Sequence, residues 1–357
     1  MHETIPPQES APEGRSVPAG TSPRGGGPGR ARTAGRVLVR QDYLGVLVAT
    51  VVLVLVIGAF DTRFFQFGQL MNILSQSSYI GILACGMAFL LAMRELDLSV
   101  GSVYALTALT CALLADQGLN PWVSGLLAIG VGGLLGLFNA VLIQFFGLPS
   151  IVATLATLAM YRGLALALSN GTQVLGPPID DPFSTILGGS VWGVPTTGIV
   201  LIVVCAVLTV VLRSTPFGYR VRSIGSNPEA AQFSGIPVAR VRMQAMVLSG
   251  ALGGLAGVLT IGYFGSSDPN LGTGYELLAI AAAVIGGTSL RGGKASVVGA
   301  ALGSILLGVV ASGLAYFNVP INWNQFATGA VILAAVSLDS AVRRRRQGAR
   351  AGNGVRL

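Results

Sequence analysis

The segment GYRVRSIGSNPEAAQFSGIPVARVRMQAMVLSGALGGLAGVL, Gly218–Leu259, opens as a basic, polar interruption in an apolar chain and runs straight into a glycine-studded apolar stretch. Inside the interruption, NPEAAQFSG at Asn227–Gly235 predicts a short helix. Asn227 is a favourable N-cap and Pro228 suits the first helical position. Glu229 sits at the positive end of the helix dipole. Ala230 and Ala231 are strong helix formers, and Gly235 tolerates the left-handed conformation that ends a helix. A compact helix held between two apolar spans reads as a docking element.

The composition agrees with spans on either side. Of 357 residues, 52% are hydrophobic and only 10% are charged, against about 25% charged in a soluble domain. Fifty glycines suit helices that approach one another closely in a membrane. By the length criterion of roughly 20 apolar residues per crossing, ten spans are expected. They fall at 42–60, 72–93, 99–116, 121–146, 151–169, 197–213, 243–263, 276–290, 296–317 and 323–339, with the sixth, eighth and tenth short. Residues 1–41 are rich in Pro, Gly, Ser and Arg and cannot bury a core. They form a basic tail, and residues 340–357 form a second. The fold expected is an all-α polytopic membrane protein with both termini on the cytoplasmic side.

Charge decides that side. With the termini inside, the inner segments hold Arg15, Arg24, Arg30, Arg32, Arg36, Arg40, Arg94, Arg213, Arg220, Arg222, Arg240, Arg242, Arg291, Lys294 and the arginines from Arg343 onward. The outer segments hold essentially Arg63 alone, while Asp61, Asp116, Asp180, Asp181 and Asp268 fall outside. That is the positive-inside asymmetry, and it makes the net charge of +8 a matter of topology and lipid attraction. No nucleic-acid role is expected. The only histidine is His2, which removes histidine catalysis and most zinc chemistry. Cys85, Cys111 and Cys205 lie in apolar runs without paired spacing and read as small hydrophobes. GTSLRGGKA at Gly287–Ala295 approaches a phosphate-binding loop, but Thr288 replaces its first glycine and Ala295 its magnesium-binding hydroxyl. It reads as a turn between spans.

EAAQFSGI at Glu229–Ile236, with SGALGGLAGVL downstream, resembles the cytoplasmic coupling loop of ABC-importer permeases, specifically the ribose-type sugar branch. LDLSVGSVYALTAL from Leu96 and GTGYELLAIAAAVIGGTSLRGGKASVVGA at Gly272–Ala300 resemble further signatures of that branch. The resemblance runs from about Gln69 to Leu338 and departs at Arg94 and Glu95, where the family often has two glycines. It implies a translocation subunit of a bacterial inner-membrane importer for a ribose-like monosaccharide. The implied partners are a second permease copy or paralogue, a cytoplasmic ATPase dimer and an extracytoplasmic sugar-binding protein. ATP and magnesium would sit on the ATPase, leaving this chain without cofactor or catalysis. Glu229, Ala230, Ala231 and Gly235 match the coupling motif of the loop 214–242.

Polar residues at membrane depth are costly unless they face protein or water. Asp97, Ser99, Asn139, Arg162 and Glu276 are therefore candidates for the substrate path. Asn72 and Gln76 share that character, and Tyr104, Phe138 and Tyr161 could offer aromatic faces to a sugar. Helix capping and interhelical hydrogen bonding are the plainer alternatives for each. Asp97 and Ser99 in particular could cap the third span. Glycines four apart, Gly250 with Gly254 and Gly253 with Gly257, mark close-packing faces, as do Gly132 with Gly136 and Gly299 with Gly303. The outer segment 170–196 is expected to help dock a binding protein. Competing readings are an ABC permease for a branched-chain amino acid or nucleoside, and an ion-coupled secondary transporter. The latter would need a buried carboxylate relay.

Overall fold

The computed structural model describes His2, residues 43–317, and positions 319, 320, 323, 326, 329, 330 and 333. The two basic tails and most of the tenth expected span, 323–339, therefore lie outside the described residues. Among the described residues, six helices are long and apolar enough to cross a membrane: α2 (Phe67–Ala92), α4 (Pro121–Phe145), α5 (Ser150–Leu168), α7 (Thr196–Ser214), α10 (Val238–Phe264) and α12 (Val297–Tyr316). Three apolar helices are shorter: α1 (Leu44–Phe60), α3 (Val100–Asp116) and α11 (Tyr275–Ile285). Three small α-helices also occur among the described residues: α6 (Pro182–Leu187), α8 (Pro216–Ser226) and α9 (Pro228–Phe233). The chain is an all-α, multi-pass membrane protein.

The eighth expected span, 276–290, short in the sequence, forms the shorter apolar helix α11. Helix α11 has 11 residues and rises only about 16 Å, roughly half of the 30 Å hydrocarbon core. Its start is fixed by Gly272 and Gly274, at φ 68° and 84°, which break the helical path. Its end is fixed by Gly286 and by Gly287 at φ 95°. The apolar window is continuous across these glycines, so composition overstates the helix.

Helices α2 and α10 form the interior, and both bury most of their length. Around them, α1, α4, α5 and α7 turn apolar side chains outward, among them Val48, Leu126, Leu134, Leu155 and Val210. Those faces suit lipid, against which an exposed leucine costs nothing. Glycine sets the α4–α10 contact. A β-carbon on Gly132, Gly136, Gly250 or Gly254 would strike backbone atoms of the facing helix, so the two backbones touch directly. Gly253 and Gly257 turn the other way, against Val103, Tyr104 and Thr107 of α3.

On the side assigned outward by charge, β1 (Val174–Leu175) pairs antiparallel with β4 (Ser266–Ser267). A two-residue hairpin joins β2 (Ser190–Val191) to β3 (Val194–Pro195). Its central residues, Trp192 and Gly193, both have positive φ, as a tight hairpin turn requires. Asp61 embraces Arg63 through both carboxylate oxygens, with Nε at 3.1 Å from each and Nη2 at 2.8 Å from Oδ2. The Arg63 guanidinium holds that carboxyl below the usual carboxylate range. Asp61 thus neutralises Arg63.

Candidate functional site: a capped surface helix joined to a buried polar network

Helix α9 forms where the sequence places it. The Asn227 side chain accepts a hydrogen bond from the Ala230 amide at 3.1 Å, Pro228 opens the helix and Glu229 occupies its first turn. Gly235 ends the turn at φ 79°. Glu229 and Ala230 are exposed and Ala231 is buried. Phe233 is 93% exposed, an aromatic ring that none of the described residues covers. Sequence reasoning did not single it out.

The flanks of α9 are more ordered than a loop. Helix α8 precedes it directly, with Pro216 at its start and Thr215 accepting from the Gly218 amide at 3.2 Å. Helix α10 begins at Val238, inside the segment 214–242. The C-terminal end of α8 lies against the end of α2. Gly225 abuts the Ala92 carbonyl so closely that no β-carbon would fit, and the Gly293 amide donates to the Ala92 carbonyl at 2.8 Å. The glycine-rich turn 286–296 therefore helps knit three loops at one end of the molecule.

From that end, residues 94–99 run inward to a buried polar network. The Ser99 hydroxyl donates to Asp97 Oδ1 at 2.6 Å and the Ser99 amide to the same atom at 2.9 Å. The Ser249 hydroxyl of α10 donates to Asp97 Oδ2 at 3.3 Å. Asn139 Nδ2 of α4 donates to Ser99 Oγ at 2.7 Å, and the Tyr161 hydroxyl of α5 donates to Asn139 Oδ1 at 3.0 Å. Asp97, Ser99 and Asn139 are thus assembled into one network linking α3, α4, α5 and α10. A buried carboxylate with several donors around it is far less costly than an isolated one.

Arg162 and Glu276 lie apart from that network. Arg162 Nη1 donates to the carbonyls of Pro269 and Leu271, at 2.8 and 2.7 Å, and so pins the segment leading into α11. Glu276 is half-buried in the first turn of α11, with its carboxylate close to Gly101 of α3. The Tyr104 and Tyr275 rings stack with centroids 5.6 Å apart, and Tyr79 lies 6.5 Å from Tyr104. Asn72 and Gln76 remain exposed on α2, joined to each other at 3.1 Å. Phe138 is exposed on α4, away from this aromatic group. No group of three metal-ligating side chains occurs among the described residues. In the outer segment, Asp181 caps α6 by accepting from the Phe183 amide at 2.8 Å, and Trp192 is almost wholly exposed.

The family profile described as branched-chain amino acid transport system / permease component matches residues 69–336. The chain belongs to this family. It is a permease subunit of the ABC-transporter superfamily, a transport component and not a catalyst. The permease is 35% identical over 299 residues to the ribose import permease protein RbsC of Bacillus subtilis, covering 84% of this chain and 93% of that one. It is 34% identical over 298 residues to the autoinducer 2 import system permease protein LsrC of Yersinia pseudotuberculosis, covering 83% and 84%. The D-allose transport system permease protein AlsC of Escherichia coli is 31% identical over 300 residues, covering 84% and 91%. No solved structure matches the chain.

Proposed function

We propose that the permease forms the translocation path of an ATP-driven, binding-protein-dependent importer for a ribose-like monosaccharide in a bacterial inner membrane. The observation that carries this reading is α9: a capped helix with Phe233 uncovered, at the end of the molecule where basic loops converge. A separate cytoplasmic ATPase dimer would grip Glu229, Ala230 and Phe233, while Ala231 faces the body and Gly235 frees the exit of the chain. ATP-driven movement of that dimer would then shift the spans as rigid bodies between two arrangements. ATP and magnesium stay with that partner.

Topology supports the same orientation. Arg94 and Arg291 lie in loops gathered around α8 and α9, Arg242 lies near the start of α10 beside them, and Asp268 lies in the loop that follows the far end of α10. Positive-inside charge then makes the α9 end cytoplasmic, with the tails 1–41 and 340–357 on that side of the membrane domain 42–339. The outer segment 170–196, with Trp192 at a hairpin tip, would receive an extracytoplasmic sugar-binding protein. A second permease copy or paralogue would close the path. Within it, Arg162 and Glu276 shape the segment entering α11, and Asp97, Ser99 and Asn139 stiffen the wall. Three relatives named for ribose, allose and autoinducer 2 transport support the sugar class, whereas the family description names branched-chain amino acids.

Co-purification from the native membrane in nanodiscs, followed by mass spectrometry, tests the assembly. A stoichiometric ATPase and a solute-binding protein are expected, with the binding protein responding to ribose or allose and not to leucine. A leucine response would move the substrate to the amino-acid class. Glu229→Arg and Gly235→Asp should insert normally yet lose ATP-driven uptake. Full uptake by inserted Gly235→Asp would remove α9 from the coupling role.

A further inference from the structure

We propose that the dipeptide Arg94–Glu95 is a strap that carries movement of α9 into the membrane interior, positioning α3 in each transport state. This inference rests on α9 being the ATPase-coupling helix. Arg94 holds φ 66°, in the left-handed region that strains a residue with a side chain and that glycine adopts freely. What the arginine adds is its guanidinium. Nε donates to the Gly225 carbonyl at 2.9 Å and Nη2 to the Ser226 carbonyl at 3.0 Å. Those are the last two carbonyls of α8, at the negative end of its dipole, and the next residue is Asn227, the N-cap of α9.

Glu95 turns to the opposite flank. Its carboxylate, with only 12% of the side chain exposed, meets Arg242 Nε of α10 at 2.6 Å. One dipeptide therefore holds the chain both before and after α9. Between the two ties α9 rests on the body through the buried Ala231, with an open cleft on either side. A cavity of about 730 Å³ on one side is lined by Glu95, Gln232 and Arg242. A second, of about 360 Å³, is lined by Arg94, Asn227 and Glu229. Packing of α8 on α2 carries part of any movement, and the ties of Arg94 and Glu95 add a connection that leads into α3.

Beyond Glu95 the strap has little slack. The Leu96 amide donates to Ser150 Oγ at 3.3 Å and the Leu98 amide to Thr154 Oγ1 at 3.0 Å. Asp97 and Ser99 enter the buried network, and α3 begins at Val100. A displacement of α8 and α9 thus reaches α3 through six residues whose backbone is already tethered.

The test uses the full chain in its native complex with the ATPase, in nanodiscs, with the three cysteines replaced by alanine. Spin labels at Phe60→Cys and Gln117→Cys mark the outer ends of α1 and α3, and MgATP with vanadate is the probe. In the otherwise unaltered chain the probe should shift the label distance. Arg94→Gly, which suits φ 66° and removes only the guanidinium, should lose that shift while retaining the ATPase and its melting temperature. Glu95→Arg should also lose the shift, and Glu95→Arg with Arg242→Glu should restore it. A full shift in Arg94→Gly, or no restoration in the swapped pair, overturns the strap and leaves the coupling role of α9 standing. No shift in the unaltered chain with its ATPase bound overturns the coupling role itself.

Discussion

Replacing Gly250 by alanine adds one carbon to a direct backbone contact between α4 and α10. The new β-carbon would press on the Gly132 carbonyl oxygen and lie 3.0 Å from Gly136 N, where ordinary contact begins near 3.4 Å. Both neighbours are backbone atoms of α4 and cannot rotate aside, so the helices must part by about 1 Å. A gap of that size forfeits about 40% of each dispersion well. If roughly thirty atom pairs line the contact at about 0.15 kcal/mol each, the loss is about 2 kcal/mol. That falls within the 1–3 kcal/mol usual for overpacking. Cys85 and Cys111 are free and buried, so a thiol-reactive dye reports unfolding as a function of temperature. Gly163→Ala is the control, because a β-carbon there meets nothing within 4 Å. Gly250→Ala should melt well below Gly163→Ala. Coincident melting curves would refute the claim that backbone contact sets the α4–α10 distance.

Other substitutions probe the network and the cap. Asp97→Ala strands the Ser99 amide and the Ser249 hydroxyl in the interior, at about 1–3 kcal/mol per unsatisfied group, whereas Asp97→Asn keeps an acceptor and should cost less. Equal melting of the two would show that Asp97 does not organise those donors. Tyr161→Phe removes the outermost link to Asn139 and should lower stability by about 1 kcal/mol; a rise in the dye-detected melting temperature would contradict the network. Asn227→Ala should weaken α9 by about 1 kcal/mol, read as faster hydrogen exchange at the Ala230 amide. Unchanged exchange there would mean that the cap is irrelevant to the helix.

Local chemistry was the most legible part of this sequence. Asn227, Pro228 and Gly235 act within a few residues of one another, so α9 could be placed from its cap, first turn and exit. Helix α8 carried a comparable signal in Thr215, Pro216 and the apolar spacing of Phe217, Val221 and Ile224, yet its basic residues made it read as loop. Span counting worked where apolar length and helix length coincide, and it overran the end of α11, which stops at Ile285. Glycines in an apolar run look the same whether they pack a helix, as Gly254 does, or break one, as Gly274 does. The partners of Asp97 were out of reach for a different reason. Ser249 reaches the carboxylate from α10, while Asn139 and Tyr161 join through Ser99 from two further helices, and only the fold brings them into one network. Arg94 and Glu95 stood out as departures from the family's glycines, but the carbonyls and the arginine they hold lie more than a hundred residues away.

Helix α2 is the least apolar of the six long helices and the most enclosed, and these two properties set a problem of timing. Its serines and amides tolerate protein far better than hydrocarbon, yet α10 and α12, which cover much of it, are synthesised long afterwards. During biosynthesis α2 must leave the insertion machinery before its shelter exists. A nascent chain truncated ahead of α10 would therefore present the most degradation-prone surface the protein ever shows, and its lifetime in the membrane would depend on whatever holds α2 until α10 arrives.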